Sequence, residues 1–336
     1  MVKDKYLVLK GCAGLGNRLM AICNAIKYCR KGNRKLLIDW SDGVFSKKGV
    51  NIFHKYFEVR NFPVLDSLES IEKKLEYLSC YPSVFKKNIF SGGYDNFVHA
   101  CNPFFLKIPK RLLVSERFKM LRGFWMDKSR YNENIIDSKW KFLKEIFRPE
   151  SMPLGCDLNA ERGEDVVFYF DFTPNDLKNI FLENIFLKKD IETKINSFSQ
   201  QHKLQTNTIG IHIRSTDKRP RKSLDELFKK ISKFKLSSPQ FFLATDNKQI
   251  AATIKRTLSP VIEYPKLMPD LKTEGMHQWA KYNDQLHLGD RILEESIMDM
   301  WLLSKCEYLL YQGNSTFSIL SRFMHQDITK TEAWDR

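Results

Sequence analysis

No run of 18 or more apolar residues occurs anywhere in the 336 residues, which argues against a membrane-spanning helix. Met1 to Lys5 leads straight into the strand-like Tyr6 to Leu9, without the apolar core or cleavage site of a secretory leader. The chain is therefore expected to act in the cytosol. The seven cysteines (Cys12, Cys23, Cys29, Cys80, Cys101, Cys156 and Cys306) are odd in number and scattered, with no C-x-x-C pair and no histidine at zinc-finger spacing. They read as free buried thiols rather than a disulfide framework or a metal site. Two phosphate-binding signatures are also missing, because Gly11, Gly14 and Gly16 fit neither G-x-G-x-x-G nor the Walker spacing. No recognition-helix, zinc-finger or RNP pattern accompanies the basic residues, so no nucleic-acid partner is expected.

What the chain does have is the composition of a globular protein, 43% hydrophobic and 28% charged, at a length that suits two domains. Its formal net charge of +15 and pI near 9.3 attract an anion. Nucleic acid, an acidic membrane surface and a nucleotide diphosphate all fit that field, and net charge does not choose among them. Peripheral contact with an acidic membrane surface stays open.

The chain opens as strand, glycine turn and helix: Tyr6 to Lys10, then Gly11-Cys-Ala-Gly14-Leu-Gly16-Asn17-Arg18, then a helical stretch to about Arg30. Gly14 and Gly16 offer close backbone approach at a helix N-terminus, with Asn17 and Arg18 as polar neighbours; a tight turn with a capping Asn is the plainer reading. Lys35 to Trp40 reads as the next strand. A helix is expected over Leu65 to Leu78, strands at 111–115 and 121–126, a helix at 133–147, and a strong strand at Val166 to Phe170. Beyond a helix at 190–198 and a polar connector at 200–207, strands and helices alternate. Strands are expected at 208–213, 240–244, 261–264 and 307–312, and helices near 223–234, 247–258, 291–304 and 315–324. That alternation predicts parallel α/β layers in both halves, with domains at 1–200 and 201–336, each Rossmann-like.

The stretch Thr208-Ile-Gly-Ile-His-Ile-Arg214-Ser-Thr-Asp217-Lys218 carries the clearest chemistry. Three isoleucines alternate with Gly210 and His212 and give way to charge, so an apolar strand runs into a polar end. Ligands of open parallel sheets bind beyond the carboxyl ends of the strands. Arg214 and Lys218 there suit a phosphorylated ligand, Arg as a bidentate fork and Lys as a compact charge. An ordinary salt-bridged strand end fits the same residues.

Three ordered segments of the second half resemble the GT-B fucosyltransferase superfamily, which includes core α1,6-fucosyltransferases and rhizobial nodulation fucosyltransferases. They are His212-Ile-Arg214-Ser-Thr-Asp217-Lys218, Phe242-Leu-Ala-Thr245-Asp246, and Glu295 to Ser304 followed by Ser315-Thr316-Phe317-Ser318 and Arg322. Gly14-Leu-Gly16-Asn17-Arg18 is similar to the G-x-G-N opening of related bacterial sequences. The likeness covers about 120 residues of the second half and only fragments of the first. It implies two Rossmann-like domains facing across a cleft, an acceptor-side first half and a GDP-sugar-binding second half. It also implies inverting, metal-independent transfer of L-fucose from GDP-fucose to a glycan or glycolipid hydroxyl, with no cofactor beyond that donor. Another GDP-sugar, an α1,2 linkage, or a non-catalytic relative remain as alternatives.

Within that reading Arg214 and Lys218 neutralise the departing diphosphate, helped by the hydroxyls of Ser315 and Thr316 and the helix start through Phe317 and Ser318. The resemblance implies that Asp246 and His212 read the guanine. Asp299, mid-helix, is expected to make a structural salt bridge, with a role orienting Arg214 as the other option. No D-x-D stands near the site, which favours positive side chains over a metal. A base for the acceptor hydroxyl is harder to find. The core α1,6 enzymes have a glutamate just beyond the D-K pair, where this chain reads Arg219-Pro220-Arg221-Lys222. Asp217, Asp225 and Glu226 are the nearest acids, and Glu226 is the favoured base, an exposed acid at a helix N-terminus being the alternative. Trp40 and Trp125 are candidates for stacking on sugar, or for the core.

Overall fold

A computed structural model describes residues 4–11, 13–47, 49–67, 71, 74, 77–81, 162–169, 177–216, 218–269, 275–276, 279 and 286–336. The strands expected at 111–115 and 121–126, the helix at 133–147, Trp125 and Asp217 lie outside these residues. The chain divides into two compact units. The first comprises Met1–Ala13, Asn17–His54 and Val59–Ile185, and the second Gly14–Gly16, Lys55–Glu58 and Phe186–Arg336.

In the first unit Lys5–Lys10 (β1) runs parallel to Arg34–Asp39 (β2), the two being joined by the helix Leu15–Gly32 (α1). Nearly every residue of both strands is buried, as expected for a parallel sheet covered on both faces. The basic Arg30 and Lys31 in the last turn of α1 suit the negative end of its dipole. After the short helix Phe53–Tyr56 (α2) and strand Phe57–Val59 (β3), the sheet is completed by Val64–Leu65 (β4), Cys80–Tyr81 (β5) and Val166–Tyr169 (β6). Its order is β4-β2-β1-β6-β5. Leu65, expected to open a helix, instead ends β4, where it pairs with Leu37. Lys178–Asn184 (α3) closes the unit, and Ile185–Leu187 (β7) pairs with β3 in a separate two-stranded sheet.

The second unit carries the helix Lys189–Gln201 (α4) ahead of its sheet. The polar connector after α4 looked like a domain boundary in the sequence. Yet Phe198 of α4 packs edge-on against Phe242 and Tyr264, so the helix counts with the second unit. The sheet is built from Thr208–Ile213 (β8), Gln240–Thr245 (β9), Val261–Ile262 (β10), Tyr308–Tyr311 (β11) and Thr331–Ala333 (β12). Helices Leu224–Ile231 (α5), Lys248–Thr257 (α6), Gly289–Lys305 (α7) and Thr316–Met324 (α8) connect them. Every strand pair is parallel and the order is β10-β9-β8-β11-β12.

Alternation along β8 decides what faces what. Ile209, Ile211 and Ile213 enter a core with Leu243, Ile254 and Trp334, each burial contributing about 1.5–3 kcal/mol. Gly210 and His212 point to the opposite face. There a side chain on Gly210 would meet Cys306 Sγ at 3.0 Å, so glycine lets β8 approach the end of α7. Cys23, Cys29, Cys80 and Cys306 are free and buried, as expected of them. Among the described residues no helix is long and apolar enough to cross a membrane.

Candidate functional site

The strand order of this five-stranded sheet reverses direction between β8 and β11, the first and the fourth of its strands along the chain. Crevices for ligands open at such points, outside the carboxyl ends of the strands. Both strands run out there into polar sequence, Arg214-Ser215-Thr216 after β8 and Gln312-Gly313-Asn314-Ser315 after β11.

Gln312 joins the two ends. Fully buried, it accepts the Arg214 main-chain N–H on Oε1 at 2.7 Å and donates from Nε2 to Asn314 Oδ1 at 2.8 Å. Its own carbonyl accepts the Ser318 hydroxyl at 2.8 Å and the Ser315 N–H at 3.1 Å, fixing the start of α8. Gln312 belongs to no motif that points to a ligand. Its signal was an amide at the end of the apolar run Tyr308-Leu-Leu-Tyr311, directly before Gly313. Asp335, 1% exposed, holds the next residue by accepting the Gly313 N–H at 2.6 Å.

Arg214 is half-buried at this edge, and Lys218 reaches the carbonyl of Asn314 at 3.4 Å. Ser315 stands as the residue before α8 in extended conformation, and its hydroxyl is buried without a hydrogen-bond partner among the described residues. A buried, unpaired hydroxyl is costly unless a ligand completes it. Beside it the first-turn N–H groups of α8 leave a positive helix end.

His212 lies flat against Phe317, with ring centroids 5.0 Å apart and planes at 22°. Its main-chain carbonyl accepts from Trp334 Nε1 at 3.0 Å, and its Nδ1 is buried with no partner among the described residues. Burial first, then the neighbouring Arg214 and Lys266 charges, lower its pKa to about 3, so the imidazole is neutral at physiological pH. Lys266 also pairs with Asp299 of α7, and both side chains are buried. Asp299 therefore makes the structural ion pair expected of it. Its second oxygen, Oδ1, has no partner among the described residues, and burial raises its pKa to about 6 against the pull of Lys266.

Asp246 follows β9 at the same edge. Its Oδ1 accepts the Ser215 N–H at 2.9 Å and its Oδ2 the Thr216 hydroxyl at 2.6 Å. Each carboxylate oxygen thus already braces the turn after β8. Glu226 stands apart from the cluster, in the first turn of α5. Its carboxylate accepts from Lys229 of the same helix at 2.7 Å, and that bond lowers its pKa. The lowering makes it a weaker base than an ordinary glutamate.

The glycine turn is divided. Gly14–Gly16 belongs to the second unit, where a side chain on Gly16 would come within 2.7 Å of the Phe317 nitrogen. Glycine is thus what allows this turn to lie on the start of α8. Arg18 belongs to the first unit and is 1% exposed. Asp42 takes its guanidinium in two bonds of 3.1 and 2.6 Å, its Nε donates to the Ala13 carbonyl at 2.9 Å, and the Trp40 and Phe45 rings flank it. Ala13 itself sits at φ 58°, a conformation that this bond to Arg18 helps to hold. Trp40 is fully buried, edge-on to Phe53 at 5.2 Å, so it serves the core and offers no face to a sugar. Asn17 is partly exposed beside the turn.

No protein-family model matches the chain, and no curated protein sequence matches it. Solved structures do. The fucosyltransferase NodZ from Bradyrhizobium aligns with a TM-score of 0.55 at 15% identity, covering 96% of this chain and 93% of that one. The structure of NodZ alpha-1,6-fucosyltransferase soaked with GDP-fucose aligns with a TM-score of 0.56 at 16% identity, over 96% and 93% of the two chains. NodZ co-crystallised with GDP gives 0.56 at 15% identity, over 96% and 92%. The chain thus has the mixed α/β fold, with parallel sheets, of these GT-B proteins.

Proposed function

We propose that this chain is a glycosyltransferase that takes L-fucose from GDP-fucose and passes it, with inversion and without a metal ion, to a hydroxyl of a glycan or glycolipid. The observation that carries the proposal is the edge between β8 and β11. Arg214, Lys218, a buried unpaired Ser315 hydroxyl and the N-terminal end of α8 meet there, outside the carboxyl ends of parallel strands. NodZ, whose fold the chain shares, has been solved with GDP-fucose and with GDP, and that supports the choice of donor.

Such an edge is suited to the diphosphate. As the glycosidic bond breaks, negative charge grows on the leaving phosphate, and groups held in place beforehand stabilise it without reorganising. Arg214 offers a fork whose backbone is fixed by Gln312, Lys218 adds a point charge, and Ser315 and the helix N–H groups donate hydrogen bonds. This positive set takes the part a metal plays in other diphosphate sites.

For the guanine we assign His212 Nδ1 and Asp299 Oδ1, two buried atoms unpaired among the described residues and near the shared Lys266 charge. A carboxylate oxygen accepts from the guanine N1 and N2 hydrogens, and adenine offers no such pair. Asp246 then acts through the turn after β8, holding Ser215 and Thr216. The acceptor hydroxyl requires a general base; Asp217, Asp225 and Glu226 are the candidates, and the ion pair with Lys229 makes Glu226 a weaker base than a free glutamate.

Calorimetry with GDP, AMP and an oligonucleotide tests this reading. GDP is expected to bind, AMP at least tenfold more weakly, and the oligonucleotide only through salt-sensitive attraction. No heat with GDP, together with tight and steeply salt-dependent binding of the oligonucleotide, would overturn it.

A further inference from the structure

The segment Lys218-Arg219-Pro220-Arg221-Lys222 places four cations within five residues directly after the diphosphate edge. Like charges so close repel and raise the local positive potential, which attracts anions. The main chain of this loop is tied down. Asn314, the residue before Ser315, donates from Nδ2 to the Arg219 carbonyl at 3.1 Å, and Asp335 accepts the Arg221 N–H at 3.4 Å. Pro220 between them fixes its own φ.

Two of the four cations have occupations. Lys218 turns back to the Asn314 carbonyl, and Lys222 reaches the carbonyl of Arg336. Arg219 and Arg221 are exposed, and neither guanidinium meets a carboxylate among the described residues. Two of the nearby acids are engaged elsewhere, Glu226 with Lys229 and the buried Asp335 with main-chain N–H groups. A pinned loop bearing two free guanidinium forks is preorganised for carboxylate or phosphate groups, since its backbone has little freedom left to lose.

We propose that Arg219 and Arg221 hold acidic groups on the acceptor, so that the acceptor is an acidic oligosaccharide rather than a neutral one. This rests on the glycosyltransferase reading and narrows it. A membrane surface is the poorer fit, because the large apolar residues exposed among those described are Val50, Tyr77, Leu182 and Ile328, none of them in this loop. A single-stranded nucleic acid would call for aromatic faces to stack its bases, and 218–223 has none.

The test is titration of the full chain, with GDP present, by tetragalacturonate and by neutral chitotetraose. The parent should bind the acidic tetramer at least tenfold more tightly than the neutral one. The double variant Arg219→Ala, Arg221→Ala should lose that advantage, together with most of its salt dependence. Its GDP affinity should stay within twofold of the parent, because the loop contacts to Asn314 and Asp335 are made by main-chain atoms, and this also reports that the variant is folded. Equal affinity for the two tetramers, or a double variant indistinguishable from the parent, overturns the proposal. So does capture of phosphatidylglycerol vesicles or an oligonucleotide through these arginines while tetragalacturonate is ignored. If GDP does not bind but tetragalacturonate does, through the same two arginines, the donor assignment falls and the acidic-saccharide surface stands.

Discussion

Replacing Gln312 by leucine removes two polar atoms from the interior at nearly constant volume. Gln312 is fully buried, and its Oε1 and Nε2 join the Arg214 N–H, at 2.7 Å, to Asn314 Oδ1, at 2.8 Å. Leucine leaves an amide and a carbonyl facing an apolar side chain. Each buried group so orphaned costs about 1–3 kcal/mol, and partial rescue by water brings the expected loss of stability to about 2–4 kcal/mol. The main-chain carbonyl of residue 312 still holds Ser315 and Ser318, so α8 should keep its start. What loosens is the end of β8, and with it the Arg214 fork. Urea unfolding measures the stability, and GDP titration measures the site, where at least a tenfold loss is expected. Gln312→Glu is the companion variant. It keeps an acceptor for the Arg214 N–H but sets a carboxylate oxygen against Asn314 Oδ1 and a buried negative charge beside the diphosphate edge, so it should lose at least as much GDP affinity as the leucine variant. A leucine variant within 0.5 kcal/mol of the parent, a margin typical of neutral substitutions, and with unchanged GDP affinity would refute this reasoning.

Three further outcomes follow from the same edge. Arg214→Lys should reduce turnover by about 100-fold, roughly 3 kcal/mol of transition-state stabilisation, with little change in unfolding midpoint; turnover within a few-fold of the parent would make Arg214 a mere strand-end charge. Ser315→Ala removes a buried hydroxyl that has no partner among the described residues, so it should leave stability within about 0.5 kcal/mol while weakening GDP binding, and unchanged binding would show that the hydroxyl meets no phosphate. Asp299 holds its proton to about pH 6 in the folded chain and to 3.8 in the unfolded one, so unfolding releases a proton between those values. Its contribution is full below pH 3.8 and declines by about 3 kcal/mol as pH rises to 6. The difference between parent and Asp299→Asn unfolding curves should show that decline, and a flat difference from pH 4 to 7 would contradict it.

The second unit was largely legible because its strands are apolar runs buried on both faces, which composition alone marks. Its last strand, Thr331-Glu-Ala333, was not: three residues at a sheet edge carry no pattern. The site was legible where charge follows an apolar run, as at Arg214 and Ser315. It was not legible where a polar residue acts through a distant partner. Asp246 accepts from Ser215 and Thr216, 31 and 30 residues away in the chain, and no local pattern marks those bonds. Arg18 stood among glycines as if aimed at a ligand, but its partner Asp42 comes 24 residues later and draws it into the interior. Pairings of that kind are fixed by packing, which a single sequence does not display.

A crystal structure of the chain with GDP bound is the most direct check on the donor site. The diphosphate should lie between Arg214, Lys218 and the Ser315 end of α8, with the guanine edge toward His212 and Asp299. Nucleotide found instead along Gly11 to Arg18, with its base against the first unit, would contradict the assignment.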